Sequence, residues 1–285
     1  MNIQGVPVER VACSDPVLVL GGNGRLGRIL HMRWANRPDV FWQARGPVAG
    51  IRWAPGVPWP GPARVRAIVA LWGVVPGRGD PAANVPLACA AMALGAALGA
   101  ERVLHCSSAA VYAPAPLPRN ETQTDPRSAY GKAKLAMEQA IAAWQTANPQ
   151  GPAACVLRIG NVAGADSAFA AIRHRGPVRV DRFAGGHGPR RSYLDHATLA
   201  RVIDVLLTCP NTALPGVVNV ANDGVIDMAD LVRAAGRQLV WTPAKTPQAG
   251  TVLLDLTRLR QLVDPGPTDP ATLLADAATL FRGQR

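Results

Sequence analysis

Seven consecutive residues constrain this chain more than any others. Gly21-Gly22-Asn23-Gly24-Arg25-Leu26-Gly27 lies between an apolar run at 16–20 and a helical pattern at 26–36. It satisfies G-x-x-G-x-x-G through Gly21, Gly24 and Gly27, and G-x-G-x-x-G through Gly22, Gly24 and Gly27. A backbone that turns sharply and lets an anion approach closely has no room for side chains, and the last glycine lets helix and strand pack together. The first free N–H groups of the helix then point at the anion. The expected occupant is the pyrophosphate of a dinucleotide, held at Gly21, Asn23, Gly24, Arg25, Leu26 and Gly27.

The rest of the chain supports that start. Further short apolar runs, each a strand candidate, occur at 40–44, 67–72, 103–106 and 155–158, with helical stretches at 84–99 and 130–146. Strands alternating with helices predict an α/β fold, a doubly wound parallel sheet of the Rossmann type with a small C-terminal substrate lobe. Residues 46–62 are too rich in Pro and Gly for a helix. After Gly164 the pattern becomes irregular. The expected division is a dinucleotide-binding domain over 1–160 and a mostly substrate-binding lobe over 161–285, interleaved with late strands of the main sheet.

Composition excludes several classes. At 285 residues, 48% hydrophobic and 17% charged, the chain can bury a sizeable core and has no disordered character. Its longest apolar run, 87–100, is mostly Ala and Gly and too short to span a bilayer. Residues 1–15 lack the apolar middle of a signal peptide, so a cytoplasmic location is expected. Cys13, Cys89, Cys106, Cys155 and Cys209 are odd in number and never spaced Cys-x-x-Cys, which predicts free thiols and no metal site. The net charge of +11 invites a nucleic-acid partner. The basic residues are nevertheless spread along the whole chain, and only Lys132, Lys134 and Lys245 are lysines. An anionic small-molecule substrate is the expected partner, with no nucleic acid and no membrane.

Two further features point to chemistry. Eighteen residues beyond Gly27, at the end of the second strand candidate, stands Arg45. A carboxylate there would bind the ribose 2′-hydroxyl of NAD, whereas a cation receives the 2′-phosphate of NADP, so NADP is favoured over NAD. Tyr130 and Lys134 stand at i and i+4 of a helical stretch and share one face. A phenol can exchange a proton with a substrate hydroxyl; a neighbouring ammonium and a positive nicotinamide ring are together expected to lower its pKa, and the ammonium to hold a ribose. Ser107 and Ser108 follow a strand, where a serine can fix the substrate oxygen.

Together these segments resemble the extended short-chain dehydrogenase/reductase family, in its NAD(P)-dependent epimerase/dehydratase branch. Ser107-Ser108-Ala109-Ala110-Val111-Tyr112 is similar to the family's S-S-x-x-V-Y-G, and Tyr130 and Lys134 match its catalytic pair. The resemblance implies Ser108 as catalytic serine and Asn84, opening Asn84-Val85-Pro86-Leu87-Ala88, as a supporting residue. It places Leu71, Trp72, Gly73 and Ile159 along the cofactor. In Arg158-Ile159-Gly160-Asn161-Val162-Ala163-Gly164 it assigns Asn161 to the substrate's phosphates, and in Gly188-Pro189-Arg190-Arg191-Ser192-Tyr193-Leu194 it assigns Arg191 to a diphosphate. The likeness runs from about Val17 to Phe281.

The chain departs from the pattern in places. Tyr112 is followed by Ala113, and Asp195-His196-Ala197-Thr198 replaces H-V-D-D. The acidic residue that serves the adenine after the third strand is missing, since Ile51-Arg52-Trp53-Ala54 stands there, and Leu71-Trp72-Gly73 is bulkier than the family's small residues. The resemblance implies an enzyme transferring hydride at a secondary alcohol or ketone of a sugar, carried on a nucleotide, as a 4-epimerase or a reductase. A 4,6-dehydratase is disfavoured, because Ala109-Ala110 replaces the Asp-Glu pair that dehydratases of the family carry. The alternative is a non-catalytic NADP-binding regulator or scaffold of the same fold. A homodimer through the helices at 84–99 and 130–146 is expected.

Overall fold

The computed structural model describes residues 15–46, 50–244 and 250–282. Cys13, Lys245 and the expectation made for residues 1–14 lie outside the described residues. Six strands come first: β1 (Val17–Leu20), β2 (Val40–Ala44), β3 (Ile51–Arg52), β4 (Ala67–Ala70), β5 (Arg102–Ser108) and β6 (Ala153–Ile159). Between them run α1 (Arg25–Arg33), α2 (Asn84–Ala97) and α3 (Ala129–Ala147). The later strands are β7 (Asn161–Val162), β8 (Val178–Arg182), β9 (Arg190–Arg191), β10 (Tyr193–Leu194), β11 (Val217–Val220), β12 (Ile226–Asp227), β13 (Leu239–Pro243) and β14 (Thr251–Val252). Five helices accompany them: α4 (Ser167–Arg173), α5 (His196–Thr208), α6 (Met228–Ala234), α7 (Thr257–Arg260) and α8 (Pro270–Arg282).

The fold is a doubly wound parallel sheet of seven strands in the order β11-β6-β5-β4-β1-β2-β3. A sheet covered on both faces needs strands that are apolar at every position. β1 meets that demand: Val17 and Val19 join one core with α1 and α5, and Leu18 and Leu20 join the other with α2 and α3. β4 divides in the same way, with Ala67 and Val69 on one face and Ile68 and Ala70 on the other. The order reverses between β1 and β4, and ligands of such sheets lie in the crevice at that reversal.

β11 falls after residue 161 in sequence, yet it pairs in parallel with β6. The remaining late strands form small sheets outside the main one: β10 with β7, β9 between β12 and β14, and β13 with β8. Phe169, Tyr193, Leu231 and Leu273 bury one small core there.

Several element bounds differ from expectation for identifiable reasons. α2 stops at Ala97 because Gly99 turns the chain at φ +66°. α3 starts one residue early because the Ser128 hydroxyl accepts the Gly131 N–H. The third apolar run leaves the sheet at Ala70, and Leu71, Trp72 and Gly73 continue as irregular backbone. β5 begins at a buried cation that pattern reading passes over. Arg102 satisfies its guanidinium on the carbonyls of Leu206 and Cys209 and on Asn211 Oδ1, at 3.0, 2.7 and 2.6 Å.

Candidate active site at the carboxyl edge of the sheet

The glycine turn closes as its spacing requires. A Cβ on Gly27 would lie 2.4 Å from the Gly22 carbonyl oxygen, so α1 can approach β1 this closely only without one. Gly24, the N-cap of α1, offers no side-chain cap. Ser128, Asp166, Asp195 and Asp227, by contrast, cap α3, α4, α5 and α6 with side-chain oxygens. The α1 N-terminus is therefore left without an internal acceptor beside the switch point, which suits a bound phosphate. This fits the pyrophosphate of a dinucleotide.

The residues around the turn take distinct places. Leu26 is half-buried against the α1 core, while Asn23, Arg25 and Arg45 are exposed. Arg25 Nη1 donates to the Ala165 carbonyl at 2.6 Å, tying the phosphate turn to the loop after β7. Arg45 follows β2 at the carboxyl edge.

The proton-transfer residues expected from the sequence come together. Gly131 packs so tightly on the turn after β5 that an added Cβ would lie 2.0 Å from the Ala110 carbonyl oxygen. That approach carries Tyr130 to Ser108, close enough for the serine hydroxyl to act on the phenol's pKa. Lys134, one turn further and buried, donates from Nζ to the Cys106 carbonyl at 2.8 Å. Its Nζ lies 6.0 Å from the Tyr130 ring centroid. Gly73 closes the group, since a Cβ there would be 2.7 Å from Asn84 Oδ1 and 3.4 Å from Lys134 Nζ.

The phenol's pKa lies above its ordinary value. Burial pushes Tyr130 up to about 12, Cys106 adds to the rise, and Ser108 only partly offsets them. Burial also lowers the pKa of Lys134, with Cys106 and Glu138 acting against it. Tyr130 is thus a neutral phenol, a proton donor, at neutral pH. Burial first and Lys134 second hold His105 down at about 3, so that imidazole is neutral as well.

Asn84 is buried but not free to move. Its amide accepts from Val74 N at 3.1 Å and donates to the Val74 and Pro81 carbonyls at 3.1 and 2.8 Å. It shapes the loop that carries Gly73 and does not reach Tyr130. Ile159, at the end of β6, is in register with Ser108. Asn161 and Arg191 sit apart from the phenol, on β7 and β9. Asn161 Nδ2 donates to Asp166 at 2.7 Å, and the Tyr193 hydroxyl donates to the same carboxylate at 2.7 Å. Burial lowers the pKa of Arg191, and Tyr193 and Asp166 act against that, so Arg191 belongs to the same polar patch. An open groove of about 520 Å³ lies beside this patch, lined by His187, Arg190, Asp227 and Thr251 among others.

A buried network that motif reading did not single out holds the group in register. Glu138 lies one turn beyond Lys134 on the same face, so its i+4 spacing was the available signal. Its carboxylate binds Arg158 through Nη2 at 2.7 Å and Nε at 3.1 Å, and it accepts from Ser107 Oγ. Arg158 Nη1 continues to the Tyr112 hydroxyl at 2.9 Å and the Glu121 carbonyl at 2.6 Å. Tyr112 in turn donates to Asn219 Oδ1 at 2.6 Å. Burial opposes the charge of Arg158, and Glu138 outweighs it, so its pKa is raised.

Residues 81–221 match the model of the NAD dependent epimerase/dehydratase family. The search of curated proteins found no match. Among solved structures, UDP-glucose 4-epimerase of Thermus thermophilus, in complex with NAD, superposes with a TM-score of 0.73 at 20% identity, over 95% of this chain and 100% of that one. UDP-glucuronic acid 4-epimerase from Bacillus cereus, in complex with UDP-glucuronic acid and NAD, gives 0.75 at 14% identity, over 94% and 99%. The Bordetella bronchiseptica enzyme WbmG, in complex with NAD, gives 0.74 at 18% identity, over 97% and 96%. At these identities the likeness establishes the fold.

Removing one partner of a buried ion pair leaves the other charge uncompensated. Glu138→Ala should therefore lower unfolding free energy by about 3–5 kcal/mol. Urea denaturation followed by circular dichroism measures this, and a loss below about 0.5 kcal/mol, as for an ordinary surface substitution, would contradict it.

Proposed function

We propose that this chain, whose residues 81–221 match the model of the NAD dependent epimerase/dehydratase family, moves hydride between a nicotinamide dinucleotide and a secondary alcohol or ketone carbon of a sugar, as a 4-epimerase or a reductase. The observation that carries this reading is the convergence of Ser108, Tyr130 and Lys134 at the carboxyl end of β5, beside the uncapped α1 N-terminus. When bound, the nicotinamide supplies or accepts the hydride.

The chain's own groups handle the proton and the position. Ser108, beside the phenol, orients the substrate oxygen. Tyr130, neutral through burial, gives its proton to a ketone oxygen that is becoming an alcohol, and takes it back in the opposite direction. A phenol held at about 12 is protonated at neutral pH, the state in which the donating half begins. Lys134 spends one N–H on the Cys106 carbonyl and one on the Met137 sulfur, and retains one for a ribose hydroxyl.

For the substrate we infer a sugar carried on a nucleotide diphosphate. The Bacillus cereus structure holds UDP-glucuronic acid with NAD, and here Asn161 and Arg191 share one polar patch with a cation in it. No helix among the described residues is long and apolar enough to cross a membrane. We place the reaction in the cytoplasm, where Cys89, Cys106, Cys155 and Cys209 are free thiols. The assembly proposed is a homodimer through α2 and α3, whose outer faces expose Ala93, Ala97, Ala136 and Ala143. Sedimentation at micromolar concentration should return twice the chain mass of 29.9 kDa, and a monomer would oppose this assembly.

Tyr130→Phe should abolish turnover while leaving cofactor affinity nearly intact. It removes the proton and keeps the ring, and general acid–base catalysis contributes about 10²–10⁴-fold. Ser108→Ala should lose less, and Lys134→Ala should lose both rate and cofactor affinity. Stopped-flow hydride transfer, with affinity measured separately, tests all three. A fully active Tyr130→Phe protein would favour the non-catalytic alternative.

We further propose NADP as the preferred dinucleotide, through Arg45. Arg45→Asp should weaken NADP binding by roughly tenfold or more and shift preference towards NAD, since a hydrogen bond to a charged group contributes about 1.5–3 kcal/mol. Calorimetric titration with both cofactors measures this. Equal affinities in mutant and parent would reduce Arg45 to a surface arginine.

A further inference from the structure

Two sequence departures, nineteen residues apart in the chain, become one structural feature. Trp53 follows β3 where the resembling family carries an acidic residue, and Trp72 follows β4 where it carries a small one. In the sheet, β1 and β2 lie between those strands. Strands are spaced about 4.8 Å apart, so the two backbones are roughly 14 Å apart. The indoles nevertheless meet: their centroids are 5.8 Å apart and the planes differ by 20°. They reach towards each other across the carboxyl ends of β1 and β2, next to the phosphate turn.

The pair is built into that turn. A Cβ on Gly21 would lie 2.7 Å from Trp72 N and 3.0 Å from Trp72 Cβ. Gly21 N donates to Gln43 Oε1 at 3.0 Å, and Gln43 Nε2 donates to the Trp53 carbonyl. Gln43 is buried, so a hydrogen-bonded relay joins the first glycine to Trp53.

The two rings are held differently. Trp53 is buried, meets Trp59 edge-on at 5.3 Å, and anchors its Nε1 on the Val57 carbonyl at 2.9 Å. Trp72 is half-buried, and its shielded Nε1 has no partner. Trp53 therefore backs the stack, and Trp72 is its more exposed ring.

We propose that Trp53 and Trp72 form the purine-stacking wall of the dinucleotide site, replacing by ring contact the hydrogen bond that a carboxylate would make to the base. This rests on the function proposed above. With Tyr130, Lys134 and Gly73 on the β4–β5 side of the phosphate turn, the reactive ring belongs there. The other half of a dinucleotide must then run over the ends of β2 and β3, towards the indoles. Every base has a π face, and stacking on an aromatic side chain is sequence-tolerant and strong enough to replace one polar contact. It also adds no negative charge next to a 2′-phosphate, whereas a carboxylate would repel one.

Calorimetric titration with ADP-ribose and with nicotinamide mononucleotide separates the two halves of the cofactor. Trp72→Ala should weaken ADP-ribose by about tenfold or more and leave the mononucleotide unchanged. In the parent, indole fluorescence should fall on addition of ADP-ribose. Trp53→Phe, which keeps a ring in the core, should weaken ADP-ribose less than Trp72→Ala does. Unchanged ADP-ribose affinity in Trp72→Ala would overturn the proposal and make the pair simple packing. Tighter affinity would also overturn it, by showing the pair to be a plug. A parent protein that binds neither ADP-ribose, NAD nor NADP would overturn this proposal and the proposed function together.

Discussion

A carboxylate and a guanidinium, both withdrawn from water, fix how α3 lies on the sheet. Glu138 and Arg158 satisfy each other from helix and strand, and Ser107 and Tyr112 use the remaining hydrogen-bonding capacity. Isolated charges could not remain in that place, because each would cost several kcal/mol, on the order of magnitude known for buried ions. The pair is therefore tolerable only in one register of helix on sheet. That register puts Gly131 on the Ala110 carbonyl, Tyr130 on Ser108 and Lys134 on the Cys106 carbonyl. The arrangement proposed for proton transfer follows from an interaction that touches none of the reacting atoms.

Burial has opposite uses at the two ends of the crevice. Around Tyr130 it stabilises the protonated phenol and keeps His105 neutral, so the charge that faces the phenol is the Lys134 ammonium. At the phosphate turn the uncapped N-terminus of α1 stays open, next to the exposed Arg25 and Arg45. A dinucleotide bound as proposed would thus have its phosphates near solvent and its reactive end in a desolvated pocket. Electrostatic effects are largest in such a pocket.

Local chemistry made much of the fold readable. β1, β2 and the glycine turn are patterns of adjacent residues, and the apolar run at 40–44 coincides with β2. Tyr130 and Lys134 were readable because a helix sets i and i+4 on one face. Contacts between distant segments were not readable. Arg102 starts β5 with a buried charge satisfied by carbonyls from 206 and 209 and by the Asn211 side chain, all distant in sequence. The direction of the Tyr130 pKa depended on burial, which i+4 spacing does not reveal. Trp53 and Trp72 each read as a separate irregularity, and only the strand order brings them into one stack.

The most direct test of this arrangement is the ionisation of Tyr130 itself, followed by NMR of tyrosine labelled with carbon-13 at Cζ and assigned with Tyr130→Phe. In the protein free of substrate, the Tyr130 resonance should remain that of a neutral phenol beyond about pH 10, the ordinary tyrosine value. Ionisation at or below that value would show that the ammonium outweighs burial, and would contradict a phenol poised to donate its proton.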